Sequence, residues 1–295
     1  MRFGRSQALT PGSAEQLKLA WLAGLLEAEG TFLRPVPSAP ASPAIACQMN
    51  DADVVERVAG AFGTALQAVR RSDVSRPVYV ARVRGARAVA LMRRLAPAMS
   101  GRRQQAITAA LRGHRSPGRK LDFDLAEAIR ELRTLGASVS FLAEAFEVSR
   151  PTIRQVLERS IYRSPSKQAE GCAWTSWTPE MVAVRGLLQP ELWWLAGWLE
   201  GEGSFVSPPP SDPRRARISG VTCDADVAGE VGRLLDVRPR LSHSPREARL
   251  GRAPIWQVLR RGARALELMK ALRPLMGVRR REQIDRALAA VDRAD

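Results

Sequence analysis

Histidine and cysteine are scarce in this chain. Two histidines, His114 and His243, and three cysteines, Cys47, Cys172 and Cys223, lie scattered through 295 residues, and no zinc-ligand spacing can be written from them. Long apolar runs are missing as well. The N-terminal MRFGRSQALTPGS has no apolar centre of the kind a secretory signal carries, and LWWLAGWL (192–199) is far short of the roughly 20 residues a membrane helix needs. Aromatic residues make up only 5% of the chain, and Trp193 and Trp194 fall within an apolar helical phrase. They read as core, not as a platform on which single-stranded bases would stack. An odd number of scattered cysteines is what a reduced, cytoplasmic protein is expected to have.

Positive charge is abundant. Lys and Arg total 46 against 30 Asp and Glu, a formal charge of +16, and nearly all the cations are arginine. Such an excess points first to nucleic acid, where each cation that meets a phosphate releases a counterion. An anionic membrane surface is the rival reading, but the basic residues run through the whole chain instead of gathering on one amphipathic helix or tail.

The chain also repeats itself. LAWLAGLLEAEGTF (19–32) returns as LWWLAGWLEGEGSF (192–205), with ten of the fourteen positions identical. NDADV (50–54) then matches CDADV (223–227). VARVRGARAVALMRRLAPAM (80–99) matches QVLRRGARALELMKALRPLM (257–276) after a four-residue insertion, expected in the loop around 238–254. RRQQAI (102–107) matches the segment ending at Ile284, with Arg102 opposite Arg279. Each repeat reads as α+β. An apolar helix is expected to stop at Gly30 or Gly203 in the C′ position, with short strands after it (AIACQM, RISGVTC). Asp51 and Asp224 stand where an N-cap belongs, ahead of DVVERVAGAF and DVAGEVGRLL at helical spacing. VYVARVRG and IWQVLRRG read as later strands that place their arginines on one face, and helical segments close each repeat.

Residues 122–163 follow a different grammar. A helix over 124–135 breaks at Gly136, a short helix SFLAEAF turns at Glu147-Val148-Ser149, and Ser149 can cap a third helix that opens with Arg150 and Pro151. The segment resembles a helix-turn-helix, whose third helix would present Arg150, Thr152 and Arg154 to the major groove. A small helical linker without DNA contact is the alternative. Three units are therefore expected: 1–117, 118–170 and 171–295.

Each apolar phrase carries small residues four apart, Gly24 and Ala28 in one and Gly197 and Gly201 in the other. Such spacing lets two helices approach backbone to backbone, and would bring Glu29 and Glu202 together. A carboxylate at a helix C-terminus faces the negative end of the dipole, and two such groups also repel each other. Either one takes a proton or divalent cations sit between them, and hard cations such as Mg²⁺ prefer carboxylate oxygen.

LAGLLEAEG (22–30) and LAGWLEGEG (195–203) resemble the motif of the LAGLIDADG homing endonucleases, in their single-chain, double-motif form. The resemblance covers roughly 18–113 and 190–292. It implies two pseudo-symmetric αββαββα repeats packed through their motif helices, with the helix-turn-helix segment between them. It implies a monomeric enzyme that cuts double-stranded DNA at a long, asymmetric site, with Mg²⁺ (Mn²⁺ substituting) bound by the second acid of each motif, Glu29 and Glu202. Glu stands there where the family more often has Asp. The first acids, Glu27 and Glu200, are expected to be structural or peripheral. By the same resemblance Asp51 and Asp224 fall where a water-ordering residue sits near the metals, with plain N-capping as their other reading. Arg102 and Arg279 fall where a basic residue meets the scissile phosphate, with solvated or phosphate-positioning roles as the alternative. Gln48, Arg82, Arg84, Arg217, Ser219 and Gln257 are the strand residues expected to face DNA, if the alternation is in register. A bacterial or phage-encoded protein that lies on the nucleoid is expected. The alternative function is a LAGLIDADG-derived DNA-binding protein without cleavage, such as a transcriptional regulator or intron maturase. A duplicated structural domain with no nucleic acid partner is a third reading.

Overall fold

The computed structural model describes residues 13–36, 38, 42–69, 77–112, 123–146, 148–158, 174, 177–179, 182–209, 211–212, 215–242 and 253–292. The N-terminal stretch before Ser13, His114, Cys172, His243, the turn residue Glu147 and the expected unit boundaries at 117/118 and 170/171 lie outside the described residues.

The first repeat runs α1 (Ala14–Glu29), β1 (Gly30–Leu33), β2 (Ala44–Met49), α2 (Ala52–Phe62), β3 (Gln67–Val69), β4 (Val78–Arg84), α3 (Ala86–Leu95) and α4 (Gly101–Arg112). The second repeats it as α8 (Gln189–Glu202), β5 (Gly203–Val206), β6 (Arg217–Thr222), α9 (Ala225–Leu235), β7 (Arg240–Ser242), β8 (Ile255–Arg261), α10 (Ala263–Leu272) and α11 (Val278–Asp292). Each repeat is αββαββα with one further helix. Each holds a four-stranded antiparallel sheet, in the orders β1-β2-β4-β3 and β5-β6-β8-β7.

The two motif helices are apolar all round because they are covered all round. Trp21, Leu22, Leu25 and Leu26 of α1 and Leu195, Trp198 and Leu199 of α8 lie in one core with the inner faces of both sheets. Glycine makes the contact between them possible. A Cβ placed on Gly24 would lie 1.9 Å from the Trp194 carbonyl oxygen, and one on Gly197 would lie 1.9 Å from that of Trp21. The expected small-residue seam is thus a reciprocal backbone contact.

The helix ends differ from expectation. Gly30 (φ −78°, ψ 146°) and Gly203 (φ −79°, ψ 159°) are extended, not left-handed. The chain leaves each helix straight into a strand, and a Cβ would strike the turn behind it, 2.3 Å from Leu26 O or 2.4 Å from Leu199 O. Close approach, not positive φ, requires these two glycines.

Between the repeats stand α5 (Phe123–Thr134), α6 (Val139–Ala145) and α7 (Arg150–Glu158). They enclose their own small core of Ala126, Ile129, Leu142, Ala143, Ile153 and Val156. Gly136 (φ 94°) closes α5, Ser138 Oγ caps α6 by accepting from Phe141 N (3.1 Å), and Ser149 Oγ caps α7 by accepting from Thr152 N (3.3 Å). Farther on, Trp174 and Trp177 pack with Trp21 and Trp193, and the Arg57 guanidinium lies over Trp177 at 4.1 Å and over Trp21 at 5.0 Å. Burial pulls the Arg57 pKa down to about 10, and its Nη1 donates to Leu275 O at 3.1 Å. Among the described residues no helix is long and apolar enough to cross a membrane.

Candidate active site

Because α1 and α8 pack along their length, their C-termini end together. Glu29 and Glu202 are therefore neighbours, each the last residue of its helix. A Cβ on Gly201 would come 2.9 Å from Glu29 Cγ and 3.5 Å from its Oε1, so the absence of a side chain at Gly201 leaves room for Glu29. Burial raises the pKa of both carboxyls, and the charge of Glu29 raises that of Glu202 further. Among the described residues neither carboxylate accepts a hydrogen bond or makes an ion pair, so its oxygens are uncommitted.

The helix ends have cationic caps that the sequence reading missed. Arg103 donates to the carbonyls of Glu27 (2.8 and 3.1 Å), Ala28 (3.2 Å) and Gly30. Its counterpart Arg280 donates to those of Glu200 (3.2 Å) and Gly201 (3.1 Å). Each satisfies the orphan carbonyls of a motif helix and counters its negative dipole end. Burial pulls the pKa of both guanidiniums down, and the adjacent Arg102 or Arg279 adds to this. The doubled arginines RR at 102–103 and 279–280 were the available signal.

The first acids of the motifs hold structure, as expected. Glu27 accepts from Ser100 N and Ser100 Oγ, both at 2.7 Å. Among the described residues the Glu200 carboxylate accepts only from Gly277 N, at 2.7 Å, and its buried Oε1 has no hydrogen-bond partner, because the second repeat has glycine where the first has Ser100. Burial pushes the Glu200 carboxyl up to about 7.

Asp51 and Asp224 do not cap their own helices: neither side chain makes a capping hydrogen bond. Each reaches instead into the other repeat. Asp51 takes Arg279 Nη2 at 2.7 Å and Nε at 2.9 Å, and Asp224 takes Arg102 Nη2 at 2.7 Å and Nε at 2.8 Å. The N-capping reading of these aspartates gives way to crosswise ion pairs, and the hydrogen bond to Asp51 raises the Arg279 pKa. Two residues along, Asp53 accepts from Val278 N (2.8 Å) and Asp226 from Gly101 N (2.9 Å). Six sequence candidates, Glu29, Glu202, Asp51, Asp224, Arg102 and Arg279, thus gather where the repeats meet.

The strand candidates fall in the expected register. Ile45, Cys47, Ala81 and Val83 point into the core, while Gln48, Arg82 and Arg84 are exposed on the open face. Arg217, Ser219 and Gln257 occupy the corresponding face of the second sheet, with Arg217 opposite Arg261. One expectation needs correction. Arg260 and Arg261 are adjacent, so they point to opposite faces: Arg261 is on the open face, while Arg260 Nη1 donates to Asp236 O at 2.7 Å. Arg150 and Arg154 are exposed on α7, but the Thr152 hydroxyl lies 2.8 Å from Ser149 Oγ, within the cap.

No group of three or more His, Cys, Asp or Glu side chains that could hold a metal occurs among the described residues. The pair Glu29/Glu202 nonetheless suits Mg²⁺, which takes one or two carboxylates and completes its shell with water and substrate phosphate oxygens.

No family model and no curated protein matches the sequence. Among solved structures the chain is similar to the LAGLIDADG meganuclease I-AabMI bound to uncleaved DNA (12% identity, 93% of this chain and 90% of that one, TM-score 0.47). It is also similar to the LAGLIDADG homing endonuclease I-LtrWI bound to target DNA (14% identity, 94% and 90% covered, TM-score 0.44) and to I-GzeII in complex with its DNA target (15% identity, 92% and 89% covered, TM-score 0.42). Likeness at this level does not assign chemistry, and the residues themselves have to carry it.

Proposed function

We propose that this chain is a site-specific endonuclease of the LAGLIDADG type that hydrolyses phosphodiester bonds in double-stranded DNA. The observation that carries the reading is the pair of uncommitted, partly buried carboxylates, Glu29 and Glu202, brought together at the ends of two interlocked helices in a protein of formal charge +16. A purely structural seam has no need of two repelling acids there. Glu29 and Glu202 would hold divalent metal, Mg²⁺ with Mn²⁺ as substitute, which activates water and stabilises the leaving oxygen when bound. Arg103 and Arg280 fix the helix ends that carry these acids. Arg102 and Arg279 offer cationic charge beside the reacting phosphates, with their aspartate partners holding them in place. The open sheet faces and α7 would bind DNA, with the protein acting as a monomer in the cytoplasm.

A second reading rests on α5–α7, a three-helix unit with its own core: a DNA-binding regulator or maturase that does not cut. The two separate on Glu29→Gln and Glu202→Gln. Each is expected to lower Mg²⁺-dependent cleavage of a recognised duplex by about 100-fold or more while duplex binding stays within a few-fold of the parent. Protein that binds a selected duplex tightly yet never nicks it with Mg²⁺ or Mn²⁺ decides for the regulator.

A further inference from the structure

Four arginines converge on the open side of the second sheet. The strand register sets Arg217 opposite Arg261 and Arg240 opposite Gln257. Arg238, Arg240 and Arg261 line, with Gln257 and Leu259, a cleft of about 490 Å³. All four arginines are exposed, and among the described residues none has an acidic partner. Other arginines of the same repeat do: Arg233 pairs with Glu191 and Glu230, Arg260 with Asp236, Arg264 with Glu267, and Arg273 with Asp285. Like charges directly across a strand pair are destabilising. Among the described residues no carboxylate relieves the Arg217–Arg261 pair, so its natural complement is an electronegative ligand lying on the sheet.

Among the described residues the first sheet lacks this cluster. Ala44 stands at the position of Arg217, Ala65 at that of Arg238, Gln67 at that of Arg240 and Val80 at that of Gln257. Arg84 matches Arg261, and Arg82 stands where the second sheet has Leu259. Among the described residues two outward arginines of the first sheet therefore stand against four of the second.

Resting on the DNA-binding reading above, we infer that the two sheets contribute unequally: the second anchors the duplex through a guanine-rich half-site, and the first holds its half-site more weakly. Arg217 and Arg261 rise from the two central strands, at the floor of the face, where they meet base edges in a groove sooner than flanking phosphates. An arginine fork matches O6 and N7 of guanine, and the Gln257 amide matches N6 and N7 of adenine. With the apolar Ala44 and Val80 at equivalent positions, the first sheet offers fewer such donors.

The test uses the full chain carrying Glu29→Gln and Glu202→Gln, with bound duplexes selected from a random pool. Guanine enrichment in one half of the recovered site is expected. Arg217→Ala with Arg261→Ala should erase those guanines and weaken binding about tenfold or more, whereas Arg82→Ala with Arg84→Ala should cost less and alter the other half only. Arg217→Lys with Arg261→Lys keeps the charge and loses the fork. It should retain the salt dependence and still lose the guanine preference. The inference is overturned if both halves are equally guanine-rich, or if the alanine variant binds all sequences more weakly with its guanines intact, which is the signature of phosphate contact. Recovery of no preferred duplex at all removes the DNA reading itself.

Discussion

Asp53, in the first repeat, accepts a hydrogen bond at 2.8 Å from the backbone N–H of Val278, the residue that begins α11 in the second repeat. Asp226 does the same for Gly101 at the start of α4, at 2.9 Å. Each repeat thus caps a helix of its twin, a contact no local pattern contains. Replacing Asp53 by Ala should cost about 1 kcal/mol, the usual worth of a helix cap. It should appear in urea unfolding as a lower midpoint at unchanged slope. The double variant with Asp226→Ala should lose about twice as much, and no measurable loss in either would mean these bonds do not form in solution.

The glycines of the motif helices should differ sharply from a glycine elsewhere. Gly24→Ala and Gly197→Ala each drive a methyl against a backbone carbonyl 1.9 Å away, with no flexible side chain to yield. Destabilisation of about 3 kcal/mol or more, or failure to fold, is expected. Gly229, on α9, has nothing within 4 Å of its would-be Cβ. Gly229→Ala should raise stability by about 0.5–1 kcal/mol through helix propensity alone. Thermal melts of the three variants decide it.

Ser100→Ala removes the hydroxyl that donates to buried Glu27 Oε1 at 2.7 Å. A loss of about 1–3 kcal/mol is expected, since the buried oxygen loses its hydrogen bond and keeps only the Arg103 guanidinium at 3.6 Å. The converse repair, Gly277→Ser, should fail. Its Cβ would meet Val54 Cγ2 at 2.5 Å and Asp53 Oδ2 at 2.9 Å before the hydroxyl could serve Glu200. Equilibrium unfolding in which Gly277→Ser gained stability would show that the second loop has room to relax.

Thiol chemistry offers an independent check on the site. Cys47 is buried and its thiol is pushed up to about 12, mainly by burial, with Glu29 adding to it. Cys223 is exposed, immediately before Asp224. Iodoacetamide followed by peptide mapping should label Cys223 in the native protein and spare Cys47 until unfolding. Bound duplex DNA should slow the labelling of Cys223, and an unchanged rate would put DNA elsewhere on the surface.

The sequence made the duplication, the motif helices and the outward set Gln48, Arg82 and Arg84 legible, because a repeated phrase and a period of two are local signals. The N-capping alternative for Asp51 and Asp224 fails because their partners, Arg279 and Arg102, lie in the opposite repeat. The sequence reading missed Arg103 and Arg280 because their acceptors are carbonyls, which a sequence does not display. The stops at Gly30 and Gly203 were visible, but a helix that turns left-handed and one that runs straight into a strand both call for glycine. Arg260 and Arg261 show the limit of alternation, since two adjacent cations cannot share a face.

One consequence follows from the contact between Gly24 and Gly197. Main-chain atoms touch main-chain atoms there, so the spacing of the two helices is independent of almost every side chain around them. Glu29 and Glu202 inherit that spacing as the marks on a ruler do. The rest of each repeat is then free to diverge, Ala44 becoming Arg217 or Val80 becoming Gln257, without moving the two acids apart. Once a gene has doubled, its two sheet faces can drift apart in sequence while the acid pair keeps a single gauge.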